Sequence, residues 1–410
     1  MRLLKLGVYH PTYLRQFYAA RPALAAAPYA AQHAALIRDA YGSSDFWTSA
    51  LARFGYETCD TVANAEPLQR AWAREQGLTR AGDDWLRLIT AAQVTAFRPD
   101  ALIVADYSTF DAAFIRRLRA ECPSIRLVLG WCGAPYRDAG VFAAWDIVLS
   151  CVPELVAHFR AAGHRSHQLH HAFEPRILER LDTASPPGTD FSFIGSILKQ
   201  NQFHVGREKI LKLLVERTDL QIWSDLRRPT GRERRGVRAR QLAHDAVSAA
   251  RTIGVPESLL AAAPILNRAA RWESRPAHEV DERIARRARP PLFGLAMFQR
   301  LRDSRATLNT HIDISADSAS NMRLFEATGV GACLVTDWKE NLPELFEPDA
   351  EVLTYRTAEE CAEKVTYILA HEEQRRSIAA AGQRRTLRDH NFTHRAARID
   401  EIIRGALSKP

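Results

Sequence analysis

Residues 99–106, Pro-Asp-Ala-Leu-Ile-Val-Ala-Asp, make a continuous apolar run closed by a carboxylate. A run without polar alternation suits a strand covered on both faces, and such strands belong to parallel sheets flanked by helices. The same device recurs along the chain. Leu3 to Tyr9 reads as a short buried strand ending at His10-Pro11, with a helical stretch after it. Ser43 to Arg53 has a cap-like start and apolar residues at helical spacing. Gly55-Tyr56 stops it, and Glu57 to Asp60 is the next strand. A helix over Phe110–Glu121, strands over Arg126–Gly130 and Trp145–Ser150, and a helix over Pro153–Ala162 follow. Strands alternating with helices across short loops predict a doubly wound α/β domain.

Asp182 to Thr189, rich in Ser, Pro and Gly, reads as a linker. After it the rhythm restarts. Phe191–Gly195 is a strand, Arg207–Glu216 a helix and Leu220–Trp223 a strand. Ala306–His311, Gly331–Thr336 and Glu351–Thr354 are later strands, with helices over Asn321–Thr328 and Leu342–Phe346, and Ala358–Leu407 is mostly helical. A chain of 410 residues is too long for one ordinary core. We therefore expect two Rossmann-like domains, at 1–184 and 185–393, facing each other across a cleft. The second carries a helical insertion at about 227–300.

The insertion opens with Arg227 to Arg240, where seven arginines are opposed only by Glu233. With a net charge of +8, this favours anionic partners: nucleic acid, phosphorylated substrates or an anionic membrane surface. Aromatic residues are nearly absent there, and bases need them for stacking, so no nucleic-acid partner is expected. The six cysteines show no Cys-x-x-Cys pair and sit among apolar neighbours, as reduced residues of a cytosolic protein would. The N-terminus is too short and interrupted for a signal peptide, and no run of 18 apolar residues occurs. The expected location is cytoplasmic, with any membrane contact peripheral at the inner face.

Neither half carries a dinucleotide-binding glycine fingerprint or a Walker A sequence. The informative segment is Asn321-Met-Arg-Leu-Phe-Glu-Ala-Thr-Gly-Val-Gly-Ala-Cys-Leu-Val-Thr-Asp337. A loop rich in Ser and Asp leads into a helix at Asn321, and helix N-termini suit a diphosphate. Arg323 adds a bidentate phosphate contact, and Glu326, three residues on, can accept both hydroxyls of a ribose.

This segment, with Asn341-Leu-Pro-Glu-Leu-Phe346 after it, resembles the donor-binding domain of GT-B glycosyltransferases, most of all the CgeB-like group. So do Glu359–Lys364, Ile378–Arg384 and His390, and, in the first half, Pro99 to Asp146 with Gly130-Trp-Cys-Gly-Ala-Pro135 between two strands. The resemblance implies transfer of a sugar from a nucleoside-diphosphate sugar to a carbohydrate, lipid-linked or protein hydroxyl, in polysaccharide or glycoconjugate assembly. It implies no cofactor and no metal, the nucleotide sugar being a co-substrate. Glu326 would hold the ribose, Gly195 and Ser196 would approach the diphosphate, and Lys199 or Arg207 would supply positive charge. Asn341 and Glu344 would lie beside the sugar or nucleotide, and a C-terminal helix at 394–410 would cross back to the first domain.

One departure stands out. Where many retaining members carry a second glutamate, eight residues before Glu326, this chain has Ser318. The stereochemical outcome is left open, with His311 and Asp313 as replacement donor contacts. An inverting reaction needs a base from the first domain, and the candidates at strand ends are His10, Asp106 and Asp138. His170-His171 shows no third ligand at metal-binding spacing. Two other readings are a non-catalytic sugar-nucleotide-binding or scaffold protein of this fold, and a nucleic-acid-binding protein acting through Arg227–Arg240.

Overall fold

The structure is a computed structural model and describes the whole chain except residues 79–81, 135, 137, 198–204, 227–229, 253–259, 261–263, 271, 273–279, 314, 316 and 409–410. The first half runs β1 (Arg2–Gly7), α1 (Pro11–Ala19), α2 (Tyr29–Arg38), α3 (Phe46–Ala52), β2 (Glu57–Val62), α4 (Glu66–Glu75) and α5 (Trp85–Phe97). It continues β3 (Ala101–Val104), α6 (Ala112–Glu121), β4 (Leu127–Trp131), β5 (Ile147–Ser150), α7 (Pro153–Ala161) and β6 (Ser166–Gln168). The second half runs β7 (Thr189–Ile194), α8 (Val205–Arg217), β8 (Gln221–Trp223), α9 (Gly231–Thr252), α10 (Pro264–Ala270), α11 (Glu282–Arg287) and β9 (Ala288–Arg289). Then come α12 (Gly294–Arg302), β10 (Ser304–Asn309), α13 (Met322–Gly329), β11 (Cys333–Asp337), α14 (Leu342–Leu345) and β12 (Leu353–Tyr355). α15 (Ala358–Ala370), α16 (Glu372–Asp389) and α17 (Phe392–Leu407) close the chain.

The strands form two six-stranded sheets, ordered β2-β1-β3-β4-β5-β6 and β12-β11-β10-β7-β8-β9. Every pairing within them is parallel; Leu3 stands beside Ala101 and Ala306 beside Cys333. The apolar runs behave as their composition requires. In the first sheet Leu3, Ile103, Leu129 and Leu149 enter one core, while Leu4, Leu102, Val104 and Val128 enter the core on the opposite face. Alternate side chains of one strand thus reach two separate cores, which is why no polar alternation appears in these segments.

Helix starts are set by local chemistry. Asp111 accepts from the Phe114 amide at 2.8 Å and delays α6 to Ala112, two residues after the expected start at Phe110. Two strands escaped the sequence pattern: β6 is Ser-His-Gln and β9 is Ala-Arg, short polar edge strands without an apolar run. At β9 the chain rejoins the sheet after α9, α10 and α11, and α12 packs on β7 and β10.

The two halves are joined by one core. The face of the first sheet bearing Leu3 and Leu129 is continuous with Leu324, Phe325 and Leu334 of the second half, through Phe173 and through Phe392 and Ile399 of α17. α17 lies on the first half: the Tyr56 hydroxyl donates to Asp400 at 2.8 Å, and Phe392 packs edge-on against Trp47. The Phe392 amide donates to the Phe173 carbonyl, so the start of α17 and the segment after β6 are tied by backbone.

At this junction Gly329, the last residue of α13, lies against the Phe173 ring, and a Cβ there would overlap ring carbons. Gly329→Ala should therefore cost about 1–3 kcal/mol. A lowered urea midpoint would show it; an unmoved midpoint would mean that Phe173 yields freely.

Candidate functional site

In a doubly wound sheet the ligand crevice opens at the carboxyl ends of the strands, where neighbouring strands send their connections in opposite directions. In the first sheet that point lies between β1 and β3, and His10 and Asp106 follow those two strands. In the second it lies between β7 and β10, followed by Gly195-Ser196 and Thr310-His311.

The second crevice is strapped by Arg207, in the first turns of α8. Its guanidinium is buried and donates to the Ser196 carbonyl at 2.6 Å, to the Thr310 hydroxyl at 2.8 Å and to the Thr310 carbonyl at 2.7 Å. Burial pushes its pKa down to about 10, so it stays charged at neutral pH. The structure thus uses Arg207 to hold both loops. Lys199, the other expected cation, lies outside the described residues. Asp313 is exposed, and its carboxylate accepts from the Gly206 amide at 3.4 Å, at the start of α8. The amide dipoles there favour negative charge.

α13 begins beside this strap. Asn321 caps it, accepting from the Leu324 amide at 3.3 Å and donating to the Asn309 side chain at 2.7 Å and the Thr310 carbonyl at 3.2 Å. One turn in, Arg323 and Glu326 pair at 2.8 Å, with side chains 16% and 8% exposed. Burial pushes the Glu326 carboxyl above its ordinary value, and Arg323 pulls it only partly back. A carboxylate kept dry with one partner gains from any further hydrogen-bond donor that reaches it. Across from it stands Tyr41 of the first half, whose titration is raised to about 12, first by burial and also by the Glu326 charge, against a backbone hydrogen bond at His10 that lowers it. Tyr41 stacks on Tyr13 at 4.0 Å between centroids and meets Phe293, the residue before α12, edge-on at 5.6 Å. An aromatic cluster thus spans both halves at the cleft.

At the ends of β10 and β11 a second polar pair forms. The His311 ring meets Asp337 at 2.7 Å, and the His311 amide donates to the same carboxylate at 3.1 Å. Lys339 stands 3.5 Å from its other oxygen. Burial alone would push the Asp337 carboxyl up; His311 and Lys339 outweigh it and hold it below the usual aspartate range. The His311 side chain is fully buried, and its Nε2 has no hydrogen-bond partner among the described residues.

The structure gathers Gly195, Ser196, Arg207, His311, Asp313, Asn321, Arg323 and Glu326 around the second crevice. Asn341 acts as a clamp on the adjoining loop, accepting from the Ala319 amide at 2.6 Å and donating to its carbonyl at 3.3 Å. Glu344 is exposed on α14, and Ser318 is buried. The three base candidates all hold backbone. Exposed His10 caps α1, accepting from the Thr12 amide at 3.3 Å, and stacks on Phe293. Asp106 accepts from Ser108 and Thr109 on a single oxygen, at 2.7–2.9 Å. Asp138 accepts from the Gly140 amide at 2.7 Å and caps the 3-10 turn Ala139–Ala144. Asp138 sits on a different connection from the β1/β3 crevice that His10 and Asp106 flank.

Sequence reasoning missed Asp337, Lys339 and Tyr41. The Thr-Asp ending of β11 was the one available signal for Asp337. It also missed a cavity of about 250 Å³ behind the first crevice, lined by Trp47, Trp131, His171 and, from the second half, Met322. A buried pair, Lys5 and Asp60 at 2.8 Å, forms part of its wall, and burial pushes the His171 ring down to about 3, so the ring is neutral. A larger hollow of about 830 Å³, beside Ser304 and Arg305, opens at the amino end of β10, the wrong end for a ligand crevice. Among the described residues no group of His, Cys, Asp and Glu converges to hold a metal ion.

Residues 234–401 match the family model described as glycosyl transferase-like. Solved structures similar over the whole chain include sucrose-phosphate synthase from Thermosynechococcus elongatus, at 12% identity and TM-score 0.54, with 100% of both chains covered. A glycosyltransferase from Rickettsia africae ESF-5 matches at 8% and 0.53, covering 100% of this chain and 99% of that one. Anabaena HepE in complex with UDP and glucose matches at 11% and 0.51, covering 99% and 100%. Comparison with curated protein sequences gives no match. At these identities the likeness is one of fold, and the fold is GT-B: two Rossmann-like domains around a cleft.

The His311–Asp337 pair makes a stability prediction. A carboxyl with a lowered folded pKa contributes fully above its unfolded value of about 3.9 and loses that contribution as pH falls through the folded value. Asp337→Asn should cost about 1.5–3 kcal/mol at neutral pH. Urea unfolding at several pH values should show a level gap between wild type and variant above about pH 5, closing toward acid.

Proposed function

We propose that this chain, a GT-B protein whose residues 234–401 carry the glycosyl transferase-like family match, moves a sugar from a nucleoside-diphosphate sugar to a hydroxyl acceptor. The observation that carries the reading is Glu326: a carboxylate buried at the ligand end of the second sheet, with its titration raised and a single cation beside it. A ribose offers two adjacent hydroxyl donors, which would supply the contacts this carboxylate lacks. The N-termini of α8 and α13 flank the same crevice and favour the diphosphate. As the glycosidic bond breaks, charge gathers on the departing nucleoside diphosphate, and these fixed dipoles with Arg323 would stabilise it.

The acceptor hydroxyl would approach from the first half, where His10 and Asp106 flank the crevice and the cavity behind Met322 leads inward. Polysaccharide or glycoconjugate assembly is the reading of the pathway. The Anabaena protein of this fold is solved with UDP and glucose, which makes UDP the first nucleotide to try. Transfer would need no divalent ion, because the positive charge facing the leaving group comes from the chain itself. The second reading, a binding protein without turnover, is favoured by buried Ser318 at the position of a glutamate.

Calorimetry with UDP, then with other nucleoside diphosphates, tests the donor site. Glu326→Ala should weaken binding at least about tenfold, or about 1.4 kcal/mol, with the fold intact by circular dichroism. Unchanged affinity for every nucleotide tried would remove Glu326 from the site. Release of nucleoside diphosphate from the matching sugar nucleotide should persist in excess EDTA; its loss, with recovery on adding magnesium or manganese, would reject metal independence.

A further inference from the structure

α9 is a 22-residue helix, about 33 Å long, with Val237 and Val247 buried. Val247 packs against Leu260 and Ala269, so one face of the helix is used internally. The opposite face is exposed. Arg235, Ala239, Leu242, Ala246 and Ala249 follow one another at three- and four-residue spacing, which aligns them on one side, with Arg238 three residues after Arg235 and Arg232 three before it. Leu242 is 65% exposed, the highest value among the large apolar side chains of the described residues.

One acid, Asp245, lies three residues after Leu242 at the edge of this face, where it stands 3.5 Å from His244. The Glu233 carboxylate turns back to the Thr230 amide at 2.7 Å and the Thr230 hydroxyl at 2.9 Å, as a helix cap. Among the described residues no carboxylate pairs with Arg232, Arg235 or Arg238. The face is thus cationic in its first half and apolar in its second. It contains no aromatic ring on which a nucleic-acid base could stack. Phosphates alone would satisfy the arginines and leave Leu242 and the alanines wet. A surface that offers phosphate and an apolar layer together satisfies both.

We infer that the outer face of α9 docks on an anionic lipid bilayer, with Arg232, Arg235 and Arg238 at the headgroup phosphates and Leu242 at the acyl boundary. No helix among the described residues is long and apolar enough to cross a membrane, so the contact is peripheral. None of these residues is among those gathered around the nucleotide crevice, and the contact stands or falls independently of the transfer reaction.

Sedimentation of the full chain with vesicles tests it. Vesicles of equal parts phosphatidylglycerol and phosphatidylcholine should bind at least about tenfold better than phosphatidylcholine alone, and less at high salt. The double substitution Arg235→Glu with Arg238→Glu should lower binding at least about tenfold, and the matching lysine pair should keep most of it. Leu242→Ala should reduce what survives high salt. All three positions are exposed, so melting temperatures should not move. Equal binding to both vesicle types, or no effect of the glutamate pair, would overturn the inference. So would loss of duplex RNA or DNA binding in that pair with vesicle binding intact.

Discussion

The apolar core that runs from one sheet to the other is the constraint on which the rest of this molecule depends. A parallel sheet must be covered on both faces, because its strands have no polar side to leave wet. Here one face of the first sheet is covered partly by α3 and partly by α17, and the same core continues to α13 through Phe173 and Phe392. The helix that carries Arg323 and Glu326 is therefore seated on a junction belonging to both halves. Its position relative to Tyr41 and the first crevice is fixed by packing as well as by loops.

On that scaffold the second crevice concentrates costly groups. Arg207, His311 and Glu326 are buried, and Asp337 is largely so, each with one or a few partners. Burial of charge is tolerated only where hydrogen bonds or opposite charges repay part of the lost hydration. Arg207 meets three oxygens of the loops it straps and Asp337 meets His311 twice, whereas Glu326 has, among the described residues, a single cation. The least compensated of these groups thus stands where the ligand crevice opens, as expected of a group whose remaining partners arrive with a ligand.

The central strands were legible because each is an apolar run with nothing to pair across the period. Ala101–Val104 and Ile147–Ser150 could hardly be read otherwise. β6 and β9 were illegible for the converse reason: two or three polar residues become strands only because a neighbour offers its edge. The donor-side candidates were legible to the degree that they were local. Asn321, Arg323 and Glu326 share one helix, and helix geometry places them together. Asp337 and Tyr41 meet their partners across 26 residues or across the cleft, and no spacing rule reaches so far. Asp138 was legible as a polar loop residue; that it caps a turn through Gly140 depends on backbone geometry.

α17 has a consequence for how the chain comes to be folded. Phe392, Ile399 and Ile402 complete a core whose other walls come from residues before 182 and from Leu324, Phe325 and Leu334 of the second half. During synthesis, the part of that face of the first sheet which α3 does not cover stays bare until α17 has been made. The first half cannot mature as a finished unit while the second is being made, although domains commonly fold in order of emergence. The chain carries that apolar strip uncovered from the completion of the first sheet until α17 is made, and this interval sets how long it is open to wrong partners.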